Sequence, residues 1–292
     1  MNLKSGFTWI VLVVFIVGWM IFGLATFTLE RHNARQENIY TARLLMSAAT
    51  ASRDYTSDLI SPLFADQPQQ QGFIRETVPS YAAQQVFKRM GEQHKQYSYA
   101  EVALNPTNPD DLAADWQVDL IKYFRENPDA QQIVDTRVDR ENVKKLFVAA
   151  PIRITSPQCL VCHSTPDVAP ASLIKTYGTS NGFGWELNQV IGAQVISVPT
   201  AVAEERAKMA TSSYLILTAS IFLIAYSALQ IIVHRWVESP LNTFAKILEE
   251  MSTQQAIADT ELPEGKIDSM LRLNKAINRL IISLNKSLLK ST

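Results

Sequence analysis

The five residues Cys159-Leu160-Val161-Cys162-His163 combine both cysteines of this 292-residue chain with one of its four histidines. C-x-x-C-H is the spacing at which c-type haem is attached to a polypeptide. Two thiols at this spacing can reach the two vinyl groups of one porphyrin, and the next imidazole can ligate the iron. The sequence therefore predicts one covalently attached haem c, bound through Cys159 and Cys162, with His163 as the proximal axial ligand.

Three other uses of a C-x-x-C pair compete with this interpretation. A thioredoxin-type redox pair belongs in a βαβ context, which the flanking residues do not suggest. A structural zinc site needs four ligands, and no second pair of Cys or His residues lies nearby in the sequence. A disulfide across so short a loop would constrain little of the chain. We therefore favour haem attachment.

Two uncharged segments, residues 7–29 and 210–233, must position the domain that carries this motif. About 20 helical residues cross a hydrocarbon core of about 30 Å, so each segment can span a membrane. The first could instead be a cleaved signal peptide, but its apolar run is too long for a signal h-region. The second could be a buried core helix, although its length and lack of charge argue against this. We predict two transmembrane helices.

The haem motif, and not the loop charges, decides the predicted topology. Charges flanking a long central segment count little in the positive-inside rule, whereas bacterial c-type haem is attached outside the cytoplasmic membrane. We expect a two-pass protein of the bacterial inner membrane with both termini in the cytoplasm. Its parts are a cytoplasmic N-terminus (1–6), the first span (7–29), a periplasmic haem domain (30–209), the second span (210–233) and a cytoplasmic tail (234–292). A net charge of −1 gives no indication of a nucleic-acid partner.

The periplasmic segment alternates helical and strand patterns, which predicts a mixed α+β domain. Pro79 is a favourable first-turn residue for one of its helices. Apolar residues spaced by four predict a further amphipathic helix over residues 111–126. The other predicted elements are a helix over residues 30–63 and strands over 97–104, 146–154 and 190–198.

Several separate motifs resemble one known family, in the order in which that family has them. They are EVALNPTNPDD with Trp116, VAAPIRI, CLVCHSTPDVAPASL and YGTSNGFGWELNQVIGAQVISVP. These segments, within residues 55–199, resemble the membrane-bound c-type haem sensor family, whose haem domain was long catalogued as a domain of unknown function. The resemblance implies a PAS-like fold and a role in redox or gas sensing.

The same resemblance directs attention to the distal side of the haem iron. In the family a residue near a helix opening V-P-x-x-A can approach the iron, and cysteine is one ligand type. Here Val78-Pro79-Ser80-Tyr81-Ala82 contains no cysteine. Tyr81, Met90 and His94 are candidate distal ligands, with core or surface roles as the alternatives, and a water-occupied or open position is a further possibility. The distal ligand tunes the haem potential and decides between gas binding and electron transfer.

Two further features could surround the haem. Arg153 could pair with a haem propionate through charge-assisted hydrogen bonds, or be an ordinary surface arginine. The segment Gly182-Phe183-Gly184-Trp185 could wall the haem or merely form a turn.

The tail resembles a HAMP signal-relay module, with an early proline, Pro240, and a polar connector over residues 252–266. Residues 267–288 keep a heptad spacing broken by Asn274. Because HAMP modules act as parallel dimers, the resemblance implies a homodimer. The alternative is a dimerising coiled coil without signalling.

We therefore expect a membrane haem sensor that relays a redox or small-gas signal through its second span to a separate cytoplasmic partner. The alternative is a membrane-anchored c-type cytochrome that transfers electrons. An enzymatic role such as a peroxidase lacks a supporting acid/base constellation, so we do not expect an enzyme.

Overall fold

The computed structural model describes residues 3–64, 72–139, 141–252, 272, 275–279 and 282–283. Contacts divide the chain into two compact units. One comprises Met1–Thr26 and Thr211–Thr292 and is called the helical unit below. The other is Phe27–Ala210, called the sheet unit.

The helices and strands are numbered in chain order. They are α1 (Leu3–Tyr55), α2 (Ser61–Leu63), α3 (Pro79–Gln93), β1 (Ser98–Ala103), α4 (Asp115–Glu126), β2 (Ile133–Val138), β3 (Lys144–Arg153), α5 (Gln158–His163), α6 (Ala171–Tyr177), β4 (Val190–Pro199), α7 (Ala201–Val233) and α8 (Ser239–Ser252). A π-helical turn, Thr56–Ile60, joins α1 to α2, and another, His234–Glu238, joins α7 to α8.

The strands form one antiparallel sheet in the order β1-β4-β3-β2. Strand β4 is therefore interior, with β1 on one side and β3 on the other. Alternate residues of a strand point to opposite faces, so both faces of the central strands can bury apolar side chains. This explains why β3 and β4 read as nearly continuous apolar runs.

Helix α4 covers one face of the sheet with a purely apolar cluster. Its members are Val102, Ile121, Phe124, Phe147, Ala149, Val190, Ala193 and Val195. Ile121 and Phe124 are fully buried, in agreement with the apolar stripe that predicts this helix. Trp116 packs at the edge of the cluster, with its ring centroid 5.3 Å from that of Phe147.

Helices α1 and α3 contribute to a second cluster on the other face. It comprises Ala42, Ala49, Phe87, Leu146, Val148, Ile196 and Val198. This face also holds a charged pair, because Arg53 of α1 bonds to the buried carboxylate of Glu101. The Tyr99 hydroxyl donates to the second oxygen of Glu101 at 2.5 Å. Burial, together with the neighbouring Glu101, raises the pKa of Tyr99, so its phenol stays protonated.

The helical unit contains the first part of α1 and the part of α7 after Ala210, both rich in exposed apolar residues, and also α8. Both α1 and α7 are long and apolar enough to cross a membrane. Within this unit the Trp19 indole N–H donates to the Leu215 carbonyl at 3.1 Å. Phe15 and Phe222 pack with ring centroids 5.1 Å apart. Trp19 lies in the middle of the apolar segment 7–29, and its polar atom is bonded to the neighbouring helix.

The prediction of a mixed α/β domain is confirmed, and so is the helix beginning at Pro79. The predicted start of the next helix at Asp111 is wrong. There the Asn108 side chain accepts from the Asp110 N–H and holds a short 3-10 turn, so α4 begins only at Asp115. Strand β2 and helix α6 were not predicted. The predicted tail connector lies outside the described residues except for Ser252. Of the predicted second tail helix, residues 272, 275–279 and 282–283 are described, and all of them are helical.

Candidate haem-binding site

Helix α5 carries all three residues of the C-x-x-C-H motif within two turns. It opens after Pro157, whose carbonyl accepts from the Leu160 N–H at 3.0 Å. Cys159 and Cys162 are unpaired and half-buried, so both thiols are free to react. Burial, with the charge of Cys159 beside it, raises the pKa of Cys162.

The His163 imidazole is held by contacts that leave one ring nitrogen available. Its Nδ1 lies 2.7 Å from the Gly182 carbonyl oxygen and 3.4 Å from Thr107 Oγ1. A carbonyl can only accept, so Nδ1 carries the proton and the lone pair lies on Nε2. Burial lowers the pKa of His163, although the bond to Gly182 opposes the shift, and this favours the neutral, ligating form.

A short loop, Gly182–Trp185, clamps the end of α5. The Gly184 N–H donates to the Ser164 carbonyl at 2.8 Å, and the Trp185 N–H donates to the His163 carbonyl at 3.2 Å. The Trp185 and His163 rings stack with centroids 3.8 Å apart and planes 16° from parallel. We call this loop the clamp.

The clamp is anchored from the loop that follows β1. Asn105 Oδ1 accepts from the Gly182 N–H at 3.1 Å, and Asn105 Nδ2 donates to the Phe183 carbonyl at 3.3 Å. Gly182 has φ 82°, and a Cβ there would lie 2.0 Å from Thr107 Oγ1 and 2.8 Å from Thr107 Cα. Only glycine meets both demands, which are a left-handed backbone and a close approach to Thr107.

The same loop reaches helix α3 a few residues later. Asp111 accepts hydrogen bonds from Gln84 Nε2 at 3.0 Å and from Asn108 Nδ2 at 3.3 Å. Burial raises the pKa of Asp111, while these two bonds oppose the shift. The loop thus contacts both the residues around His163 and the helix that carries the distal candidates Tyr81 and Met90.

The three distal candidates each have a structural environment of their own. Tyr81 lies under the Arg75 guanidinium, 5.3 Å from the ring centroid, and lines a cleft of about 240 Å³. Met90 packs against the second apolar cluster. His94 is exposed, with its ring edge-on to Tyr97. In the described part of the chain, no hydrogen bond or ring contact joins any of the three to His163. Their role as ligands stays a prediction.

Arg153 has a structural role at the end of β3. Its Nη1 donates to the Asn188 carbonyl at 3.0 Å and its Nη2 donates to the Pro128 carbonyl at 3.1 Å. These bonds tie the turn before β4 to the turn after α4. Pairing of Arg153 with a propionate stays a prediction.

Sequence reasoning did not identify the roles of Asn105, Thr107 and Trp185. The turn-forming run Asn105–Asp110 and the paired glycines of the clamp were visible as local signals. Their meeting at His163 was not visible, because Asn105 and Thr107 contact residues 56 to 78 positions away and the clamp itself contacts His163 across at least 19 positions.

The fold and the motif define a class, namely a mixed α/β domain with a C-x-x-C-H motif, in a chain with two helices that could span a membrane. The chain belongs to the Tll0287-like family, whose model matches residues 31–199, more than half of its length. A solved structure, the crystal structure of the cyanobacterial haem protein Tll0287, matches with a TM-score of 0.43 and 14% identity. The match covers 56% of this chain and 95% of that chain. No curated protein matches.

Proposed function

We propose that this chain is a membrane-anchored c-type haem sensor. The observation that carries the proposal is the environment of His163. This histidine follows the two cysteines on α5, and its Nδ1–H donates to the Gly182 carbonyl. Metal-ligating histidines usually donate their other ring nitrogen in this way, which fixes the tautomer and raises the basicity of the ligand. Membership of the Tll0287-like family supports haem binding as well.

The residues of α5 fit the group that we propose. Each thiol would add across one vinyl group of the porphyrin, so that the S–H hydrogen and the sulfur both remain in the product. The lone pair on His163 Nε2 would bind the iron. Within the clamp, Trp185 covers one face of the imidazole and the Gly182 carbonyl accepts from Nδ1. Neither contact involves Nε2. A bound haem supplies one-electron redox chemistry and a coordination position whose occupant depends on the distal side.

The connection between the site and α7 supports a sensing role. The loop that anchors the clamp follows β1, and β1 pairs with β4 along its whole length. Only Thr200 separates β4 from α7, and the Thr200 carbonyl accepts from the Glu204 N–H at 3.0 Å in the first turn of that helix. A change at His163 could therefore reach the start of α7 through one strand pair. Signalling requires that the input stabilise one of two arrangements of these elements.

The remaining parts of the proposal concern topology and partners. We place the sheet unit in the periplasm and the tail in the cytoplasm, where the tail acts as a HAMP-like relay in a homodimer. A separate cytoplasmic partner receives the signal. In this proposal the protein acts as a sensor and catalyses no reaction of its own.

Covalent attachment is tested with the full-length protein purified in detergent from cells that can mature cytochromes c. We expect the haem to stay with the protein in acidified acetone. Cys159→Ser and Cys162→Ser should each leave a single thioether, and the double variant should release all its haem. Ser156→Ala, one turn away, is the matched control and should retain it. Release of all haem from the unaltered protein would refute the proposal.

Sensing and electron transfer are separated by spectroscopy of the same preparation. A sensor of gas ligands should change its Soret band on addition of CO or NO to the ferrous protein. A redox sensor should instead change the protease sensitivity of its tail between the ferric and ferrous states. Indifference in both assays, together with fast electron exchange with a small cytochrome, would favour the electron-transfer alternative.

A further inference from the structure

The Trp185 side chain stacks on the imidazole of His163, and the turn that contains Trp185 does not need this contact to form. Its indole is nearly parallel to the His163 ring, 16° apart, with a centroid separation of 3.8 Å. Indole and imidazole at this distance are in full face-to-face contact. Trp185 is half-buried, so this contact is at the edge of the protein rather than in the apolar core.

The backbone of the clamp holds Trp185 in register with the histidine. The Trp185 N–H donates to the carbonyl of His163 itself, and the Gly184 N–H donates to the next carbonyl along. Three residues earlier, the Gly182 carbonyl accepts from His163 Nδ1. One short loop therefore contacts the face of the ring, one edge of the ring and the backbone of the same residue.

Two contacts in different directions determine the plane of the imidazole. The hydrogen bond to Gly182 fixes the direction of the Nδ1 edge but leaves the ring free to tilt about that bond. The stacked indole opposes the tilt, because rotation would drive the imidazole into it. We infer that Trp185 is a positioning residue that sets the ring plane of His163 as an axial ligand, and this inference rests on the proposed haem function.

The inference predicts a property that a merely structural residue would not change. Without the indole the ring can tilt, and the hydrogen bond to Gly182 lengthens. A weaker hydrogen bond makes the imidazole a poorer donor, which destabilises the ferric state. The midpoint potential should therefore rise, and the ferric electron paramagnetic resonance signal should broaden because several ring orientations are populated.

The test compares Trp185→Leu and Trp185→Phe in the full-length haem protein. Leu187→Ala is the matched control, because Leu187 is an exposed apolar residue two positions away. We expect the leucine variant to shift the potential upward and broaden the g-values. The phenylalanine variant keeps a ring and should shift both less, and the control should match the unaltered protein.

The outcomes separate this inference from the function on which it rests. Haem attached in every variant, with g-values and potentials equal to those of the control, would overturn the inference alone. Unaltered protein without covalent haem would overturn both. Should the leucine variant fail to fold, the phenylalanine variant still decides, since a shift beyond that of Leu187→Ala supports the inference and no shift refutes it.

Discussion

The two sides of the proposed haem site differ in how far the protein specifies them. Around His163, three contacts from the clamp determine the tautomer, the ring plane and the backbone position. On α3, Tyr81 lies under Arg75 and Met90 packs against the second apolar cluster, while His94 follows the helix and is exposed. The difference teaches that the fold fixes the proposed proximal ligand, whereas none of the three distal candidates is held in a comparable way.

The largest effect on the haem spectrum should come from replacing His163. His163→Gln removes the proposed axial ligand, so we expect the Soret band to shift even where the thioethers still form. His94→Gln tests a distal candidate in the same way, and an unchanged spectrum would exclude His94 as a ligand. Absorption spectra of the two purified proteins make the comparison. A spectral change in the His94 variant alone would reverse the assignment of the two sides.

On the face of the sheet that α3 covers, the buried ion pair between Arg53 and Glu101 should contribute most to the free energy of unfolding. Arg53→Met leaves Glu101 buried and unpaired, at a cost of about 3–5 kcal/mol in the free energy of unfolding. The matched control is Arg206→Met, which removes an exposed pair with Glu37 and should cost about 0–1 kcal/mol. Urea unfolding in detergent, followed by tryptophan fluorescence, measures both. Equal midpoints would show that Glu101 gains no stability from Arg53.

Adding one methyl group to the clamp at Gly182 should lower the stability of the protein. Gly182→Ala combines a strained positive φ, about 1–3 kcal/mol, with overpacking against Thr107, about 1–3 kcal/mol more. Gly178→Ala has nearly the same φ but no atom within 4 Å, so it isolates the strain. The difference between the two variants in urea unfolding should therefore be about 1–3 kcal/mol. No difference would mean that Thr107 moves aside without cost.

The smallest effects are expected from the two distal candidates that are half-buried. Tyr81→Phe and Met90→Leu keep the volume of each side chain, so each should change stability by less than about 1.5 kcal/mol. A Soret shift in one variant would identify it as the distal ligand. No shift in either, with His94 already tested, would leave water or an open position on that side.

Local signals in the sequence predicted the elements better than the contacts between them. Pro79 was sufficient for the start of α3, and the apolar runs were sufficient for β3 and β4. The start of α4 could not be predicted, because the Asn108 side chain captures the backbone in a competing turn. The partners of His163 could not be predicted either, since nothing local relates Asn105 or Thr107 to a glycine more than 70 residues later.

The wide sequence separation of the clamp also bears on how the protein matures. The attachment motif is complete in five consecutive residues, but Asn105 bonds to Phe183 across 78 positions. Closing so long a loop costs chain entropy, and it occurs only when β1 and β4 come together. In the proposed haem protein we therefore expect both thiols to be reachable in a partly folded chain, so that haem attachment precedes closure of the clamp. Closure would then fix the imidazole of His163 in place.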